Sequence, residues 1–279
     1  MRSASGRDHT LLQHFRKQYR LAVLGRRTLV TDDCAVSTRD RPRHSGLRVD
    51  PVGGTRGAGE SPQARGSVES VGMDALLTRA VMAAADISAV TQLVLTERES
   101  RDLGRWEALA ACYWPESHVE ISWISGTGAQ FVAGSIEMAR RGVKARHRLG
   151  PVRVGLHGQR ALATLAGVID IPGEIDGVEF CLSSHARFLY PVERRDGDWG
   201  LMGFYGIYVR DEIITRIPGQ QLPILEQDLR SFRPSYRMLS WLLTRQGGYT
   251  VNNDLPGVDR PEAAEALEQK LLAWAAVEA

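Results

Sequence analysis

One histidine and several carboxylates in this chain have the types and spacing that proton transfer requires. His147 stands between two arginines near the start of a predicted β-hairpin, and Asp170 is the one carboxylate in the apolar run ATLAGVIDIP on the other strand. An imidazole accepts and returns a proton near neutral pH, and a neighbouring carboxylate fixes which nitrogen carries it. These two residues are therefore the first candidates for an acid–base pair.

The turn of this hairpin sets the register between the two strands. Gly158-Gln159 is a two-residue loop with Gly first, which favours a type II′ turn. If pairing continues without interruption, His147 and Asp170 lie directly opposite each other, with Cβ atoms about 4.5–5.5 Å apart. Gly150-Pro151 is the weak point, because proline cannot donate to a ladder and often marks a bulge. The alternative is an ordinary cross-strand ion pair at the rim of a sheet.

Two further acids lie on a helix predicted over residues 86–102. Glu97 continues the apolar stripe that includes Val90 and Val94, and an isolated carboxylate on such a stripe must reach a partner or line a cavity. Asp102 lies near the end of the helix, where a turn can point it inward. The alternatives are a Glu97 that extends to solvent and an Asp102 that is a plain helix-terminal acid.

Other side chains are weaker candidates for a binding role. His185 lies on a strand expected to line the same cavity, although a solvent-facing histidine fits the sequence equally well. Trp123 and Tyr205 are interpreted as core or cavity wall. The histidines lack metal-ligand spacing such as HxxxH, and no GxSxG or Cys–His signature is present. We therefore expect neither a metal nor a cofactor.

The order of predicted elements indicates an α+β fold. Helices come first, long strands separated by turns follow, and helices return near the end, so helices are expected to cover one face of a curved sheet. The predicted helices cover residues 86–102, 105–115, 129–142, 235–247 and 259–277, and the predicted strands cover 118–125, 147–157, 160–171, 178–194 and 199–213.

Composition divides the chain unevenly. Residues 1–72 carry 13 Lys and Arg against 7 Asp and Glu, while all six tryptophans come later. A segment with so few large apolar residues cannot bury enough surface to fold, so we predict a disordered basic leader over 1–72. A targeting peptide and translated sequence ahead of a start at Met73 are the alternatives. A folded domain is expected over 73–220, with a helical extension over 221–279.

The same composition bears on compartment and partners. Three scattered cysteines without paired spacing favour a reducing compartment, so a cytoplasmic protein is expected. No apolar run approaches the length of a membrane span, and an Arg-rich leader without interleaved aromatic residues is usually just solvated. Neither membrane nor nucleic acid is therefore an expected partner.

Three segments resemble the SnoaL-like family of the nuclear transport factor 2-like superfamily, which includes polyketide cyclases, scytalone dehydratase and bile-acid 7α-dehydratase. They are TERESRDLGRWEALAACYWPESHVEISW, HRLGPVRVGLHGQRALA and SHARFLYPVERRDGDWGLMGFYGIYVRDEI. The resemblance covers residues 85–215. It implies a cone-shaped, curved mixed sheet closed by three N-terminal helices around a deep apolar cavity, with extra helices at the C-terminus.

The resemblance also implies site roles. Asp102 matches the acid on the first helix, His147 matches the general base or acid, and Asp170 matches the acid that pairs with that histidine. Glu97 departs from the pattern, because dehydratases of this group have a tyrosine there. Together with Glu97, the residues Trp123, His185 and Tyr205 are expected to contact substrate.

The function so implied is that of a cofactor-independent lyase or isomerase. It is dehydratase- or cyclase-like and uses a His/Asp pair on a hydrophobic hydroxyketone or polycyclic molecule. The alternatives are a non-catalytic ligand-binding or assembly module of the same fold and the small subunit of a dioxygenase. The expected partners are a small hydrophobic molecule and further copies of the chain, as a homodimer or homotrimer.

Overall fold

The computed structural model describes residues 62–277, with side chains described for 74–245 and 248–277. From Val71 onward the chain forms one compact unit. Most of the predicted leader, residues 1–61, lies outside the described residues. Its last part, residues 62–72, is helical in the structure.

The first helix is longer than the sequence pattern predicts. Asp86, at which the predicted helix begins, lies well inside it. Its carboxylate accepts hydrogen bonds from Arg194 and from the Trp199 indole and so ties the helix to the last hairpin. The described residues form six α-helices and one 3-10 turn at Pro234–Tyr236. The helices are α1 (Pro62–Leu103), α2 (Trp106–Ala111), α3 (Gly128–Arg140), α4 (Glu226–Leu229), α5 (Arg237–Gly247) and α6 (Pro261–Ala276).

A curved, open mixed sheet confirms the predicted α+β class. Its order is β2-β1-β7-β6-β5-β3, with β4 also pairing with β5; the β1–β7 pair is parallel and the other pairs are antiparallel. The strands are β1 (Tyr113–Ile121), β2 (Ile124–Thr127), β3 (Arg146–Leu149), β4 (Arg153–His157), β5 (Arg160–Ile175), β6 (Val178–Arg195) and β7 (Asp198–Thr215).

Tight turns join the long strands where the sequence predicts them. Gly158 has a φ of 59° between β4 and β5, as a type II′ turn requires. The sequence RDGD, residues 195–198, predicts an Asp-Gly turn of type I′ between β6 and β7. The φ values of 51° at Asp196 and 88° at Gly197 confirm it. A second Asp-Gly turn, at Asp176-Gly177, joins β5 to β6.

The strand predicted over 147–157 is broken, and the break shifts its register against β5. Between the Arg153–Thr164 pair and the Leu149–Gly167 pair, the chain of β4 and β3 advances by four residues while β5 advances by three. The extra residue is a bulge at Gly150-Pro151, where proline has no N–H to donate. The predicted pairing of His147 with Asp170 is therefore wrong: His147 lies opposite Ile169, and Asp170 lies opposite Arg146.

Residues that face each other across an antiparallel pair share a face of the sheet. The bulge therefore places His147 on the inner face, which we define as the face carrying Ile169, Ile171 and Phe188. The main hydrophobic core lies on this face and also includes residues from α1, α3 and α5.

A smaller apolar cluster lies on the outer face under α6. Its buried members are Leu162, Leu189, Tyr205, Ile207, Leu271 and Ala275. The prediction that Tyr205 contacts substrate is wrong, because its ring packs in this cluster and beside His118, with ring centroids 6.1 Å apart. Side chains alternate along a strand, so the preceding residue, Phe204, faces inward and lines the cavity.

Helix α1 has two contrasting halves. By length and composition alone its Asp74–Leu103 portion could cross a membrane, so the expectation that no segment reaches that length does not hold. Its N-terminal half exposes apolar side chains, including Leu76 and Leu77. Its C-terminal half buries the charged residues Glu97 and Arg98 within the domain, as a core helix does.

The close contact between β5 and β6 at Gly167 gives a test of this packing. A Cβ at Gly167 would collide with the Phe188 ring, which lines the cavity, whereas a Cβ at Gly155 meets nothing nearer than 3.8 Å. We predict that Gly167→Ala lowers the free energy of unfolding by about 1–3 kcal/mol because the core has no room for the added methyl group. Gly155→Ala, the matched control, should change it by less than about 0.5 kcal/mol. Urea denaturation measures both, and equal effects would contradict the inner-face packing.

Candidate active site

A small, largely apolar cavity, part of it open to solvent, lies on the inner face of the sheet. Both ends of the folded unit contribute to its wall, from α1 near the N-terminus to α5 near the C-terminus. The lining residues are Arg98, Arg101, Ile121, Ser122, Trp123, Phe131, Met138, Ala145, His147, Ile169, Ile171, Phe188, Phe204, Tyr208, Leu239 and Leu243.

Helix α5 closes one side of this cavity with Leu239 and Leu243. Its first turn is held by Asp211 of β7, whose carboxylate accepts a hydrogen bond from the Leu239 backbone N–H at 2.8 Å. Burial raises the pKa of Asp211 to about 6. The sequence pattern predicted the helix and did not predict that it lines the cavity.

His147 and Asp102 meet at the polar end of the cavity. One oxygen of Asp102 accepts the His147 backbone N–H at 2.6 Å, and the other lies 2.7 Å from Nδ1 of the imidazole. The His147 side chain is 5% exposed and that of Asp102 is 12% exposed. Asp102 therefore satisfies the main chain and the ring of His147 together and ties α1 to β3.

The surrounding groups determine which nitrogen of His147 carries the proton. An ionised carboxylate only accepts hydrogen bonds, so Nδ1 must donate to Asp102. A guanidinium only donates, and Nη1 of Arg98 lies 3.5 Å from Nε2, so Nε2 presents its lone pair. The imidazole is thus neutral, with its basic nitrogen on the side of the cavity that Arg98 lines.

Burial disfavours the charged form of both partners and therefore shifts their pKa values in opposite directions. It lowers the pKa of His147 to about 4, against the hydrogen bond to Asp102, and the cations Arg98 and Arg101 lower it further. Burial raises the pKa of Asp102, but the hydrogen bonds from His147 outweigh it and the net shift is downward. A neutral imidazole beside an ionised carboxylate is therefore the state at neutral pH.

A second polar cluster lies behind the cavity wall. Glu97 is fully buried and forms a two-pronged ion pair with Arg98. It also accepts hydrogen bonds from the hydroxyls of Tyr113, at 2.8 Å, and Tyr190, at 3.4 Å. The guanidinium of Arg98 lies 4.4 Å from the centroid of the Phe204 ring. Glu97 thus reaches a partner, as its position on the apolar stripe required, and it holds Arg98 in the wall without lining the cavity itself.

Asp170, predicted to pair with His147, lies in a different environment. It accepts hydrogen bonds from Arg148 at 2.5 Å and from Ser183 at 2.6 Å, and its side chain is 20% exposed. Its side chain lies on the outer face, because it alternates along β5 with Ile169 and Ile171, which line the cavity. Asp170 does form a cross-strand ion pair, as in the alternative noted for the hairpin, but its partner is Arg148 and not His147.

Of the other residues predicted to contact substrate, Trp123 lines the cavity and His185 does not. Trp123 packs against Phe131, with ring centroids 5.6 Å apart. The Nε2 of His185 lies 3.6 Å from a Glu212 oxygen. Two lining residues that the sequence analysis missed, Arg98 and Arg101, follow Glu97 in the segment ERESRD. The sequence did contain a signal for these two arginines, because they flank a buried acid on the same helix.

Among residues 62–277 no group of three or more His, Cys, Asp or Glu side chains is arranged to hold a metal ion. Among the residues that line the cavity, the imidazole of His147 is the group suited to proton transfer, and Arg98, Arg101, Ser122 and Tyr208 bring further polar groups into the wall.

The lowered pKa of His147 predicts a pH dependence of stability. In the unfolded chain this histidine takes up a proton below about pH 6.5, and in the folded chain it does so only near pH 4. Its contribution to stability is therefore lost as the pH falls from 6.5 to 4, at roughly 1 kcal/mol per pH unit. His147→Asn keeps a donor for Asp102 and removes this titration, so its unfolding free energy should fall less steeply in that window.

Asp211 contributes with the opposite sign, because its raised pKa makes the folded state bind a proton first as the pH falls. This contribution is the same in the wild type and in His147→Asn, so it cancels when the pH dependences of their unfolding free energies are compared. Urea denaturation between pH 4 and 6.5 measures the two slopes. Parallel curves for the wild type and His147→Asn would contradict the buried, neutral state of His147.

Comparison with known proteins finds one matching domain model and several similar proteins. Residues 82–202 match the model of the SnoaL-like domain. Two proteins of Fusarium vanettenii, a PEP2-like protein and pea pathogenicity protein 2, are each 27% identical over 172 residues, which is 61% of this chain and 74% of theirs. A nuclear transport factor 2-like protein of Novosphingobium aromaticivorans with a cystatin-like fold is 18% identical, with a TM-score of 0.40 over 47% of this chain and 86% of its own.

The matched segment contains α2, α3 and the first six strands, together with His147, Asp102 and the greater part of the cavity wall. This chain is thus similar to the SnoaL-like domain over residues 82–202.

Proposed function

We propose that this protein is a cofactor-independent lyase or isomerase that moves a proton on a small, largely apolar hydroxyketone. The observation that supports the proposal most strongly is the state of His147. Its Nδ1–H is held by Asp102 at 2.7 Å, and its basic Nε2 belongs to a side chain that lines an apolar cavity. A positioned base of this kind contributes about 10²–10⁴-fold to the rate of a proton transfer.

The proposed chemistry begins with the carbon beside the carbonyl of the substrate. Nε2 of His147 takes a proton from that carbon, and the electrons of the broken C–H bond form an enolate. In a dehydration, the enolate then expels a hydroxyl from the β-carbon, and the imidazolium returns its proton to that oxygen, so that water leaves. In an isomerisation of an α-hydroxyketone, the hydroxyl proton moves to the enolate oxygen and the imidazolium returns its proton to the former carbonyl carbon, so that the carbonyl and the hydroxyl exchange places.

Asp102 has two roles in these steps. It fixes the tautomer that presents Nε2 as a base, and its charge stabilises the imidazolium that forms after proton abstraction. Because burial and the neighbouring arginines disfavour that imidazolium, the proton is held only briefly. A site of this kind suits reactions in which the proton is handed back within the same turnover.

A ligand-binding module without chemistry is the second candidate. The wall formed by Trp123, Phe131 and Phe204 would hold a ring whether or not a reaction follows. The two candidates differ in one respect. An enzyme exchanges hydrogen on a bound ketone through His147, and a binding module does not.

Incubation with a library of cyclic and aromatic hydroxyketones in D₂O, followed by mass spectrometry, tests the proposal. Enolisation adds deuterium to the substrate and dehydration removes a water, so the mass change reports either reaction. We predict that His147→Asn lowers the rate on any active compound by about 10²–10⁴-fold, and that Asp102→Asn also lowers it because the anionic partner is lost.

Asp170→Asn is the matched control, because it removes the carboxylate that lies on the other side of the sheet from the cavity. It should leave the rate within about twofold of the wild type, as expected for a residue outside the site. Retained turnover in His147→Asn would refute the proposed base. Compounds that bind and never gain deuterium would favour the binding module.

A further inference from the structure

Arg101 lines the cavity and has almost no partner in the protein. It lies on α1, one residue before Asp102, and is 8% exposed. Its one hydrogen bond among the described residues runs from Nη2 to the sulfur of Met138 at 3.2 Å. Within residues 62–277 no carboxylate comes within ion-pair distance of it.

The other charged groups around the cavity are satisfied. Arg98 is paired with Glu97 through two bonds, and both oxygens of Asp102 accept from His147. A guanidinium carries five N–H donors, and a thioether sulfur is a weak acceptor. Arg101 is therefore the charged group of this wall that lacks strong acceptors.

Arg101 also keeps its charge. Burial lowers its pKa to about 10, and the positive charge of Arg98 lowers it further, against the attraction of Asp102. At neutral pH the group is still a cation. A buried cation without a carboxylate partner costs stability, and proteins retain such groups at functional sites.

We propose that Arg101 binds a carboxylate of the ligand. This inference rests on the proposed function of the cavity and narrows the substrate class to a small hydroxy- or keto-carboxylic acid. The planar fork of a guanidinium matches the two oxygens of a carboxylate. The apolar remainder of such a ligand packs against Trp123, Phe131 and Phe204, which line the same space.

Arg101 and His147 line the same small cavity, so a carboxylate held by Arg101 keeps the neighbouring carbons of a small ligand in the space that the base faces. The ligand also supplies the negative charge that this wall lacks. Arg98 does not compete for the carboxylate, because Glu97 already occupies its fork.

Binding of 4-fluorobenzoate and 4-fluorobenzamide, measured by ¹⁹F NMR on the full chain, tests this proposal. The two probes share a ring and differ in charge. The wild type should prefer the benzoate, and Arg101→Met should lose that preference through a benzoate affinity about tenfold lower or more, since a hydrogen bond to a charged group is removed. Arg101→Lys keeps the charge but lacks the planar fork, so its preference for the benzoate should lie between those of the wild type and Arg101→Met.

Arg153→Met is the matched control, because it removes an exposed arginine on β4 and changes the net charge equally. It should keep the preference for benzoate. The melting temperature of ligand-free Arg101→Met should equal or exceed that of the wild type, because an unpartnered buried cation is replaced by an apolar chain of similar length.

Equal affinity of the wild type for the two probes, or no binding of either, would overturn the proposal, as would an undiminished preference in Arg101→Met. A large loss of melting temperature in Arg101→Met would show that the arginine is structural. None of these readouts requires turnover, and His147→Asn should still prefer the benzoate. A failed anion site is therefore distinguishable from a failed base.

Discussion

The contact between the carboxylate of Asp102 and the ring and backbone of His147 is the interaction on which the site depends. It joins a helix to an edge strand, and it uses both oxygens of one carboxylate to satisfy two donors of one residue. Without it, a buried imidazole would be free to choose either tautomer and either orientation. With it, Nδ1 is committed to Asp102, and Nε2 keeps its lone pair, with Arg98 of the cavity wall 3.5 Å away.

A bulge makes this contact possible. In a regular ladder His147 would share a face with Asp170, which lies on the other side of the sheet from the cavity. The extra residue at Gly150-Pro151 shifts the register by one and turns the histidine inward. Asp170 instead accepts hydrogen bonds from Arg148 and Ser183 on the outer face, and these bonds stabilise the pairing of the strands. One irregularity of the backbone thus decides which carboxylate His147 contacts.

The sequence carries much of the fold in a readable form. Turns at Gly158 and Asp196-Gly197, long alternating strands, and the burial of Glu97 follow from local rules and were predicted. The partner of His147 was not predicted from the hairpin, because a proline bulge changes the register without changing the pattern of residue types. The resemblance to the SnoaL-like family did mark Asp102, although not its contact with His147. The wall contributed by Leu239 and Leu243 depends on tertiary packing that no local pattern encodes.

The charged groups beside the cavity differ in one respect. Glu97, Arg98 and Asp102 each have a strong hydrogen-bonding partner, whereas Arg101 bonds only to the sulfur of Met138. A buried guanidinium that faces a cavity and lacks strong acceptors is available to a ligand. His147 and Arg101 both line this cavity, together with aromatic side chains.

The tautomer of His147 tests the central claim most directly. Long-range ¹H–¹⁵N correlation NMR of the ligand-free protein at pH 7 distinguishes protonated from unprotonated ring nitrogens. This account predicts a neutral ring with the proton on Nδ1 and a bare Nε2. A ring protonated on Nε2, or on both nitrogens, would contradict it, because neither form presents a base to the cavity.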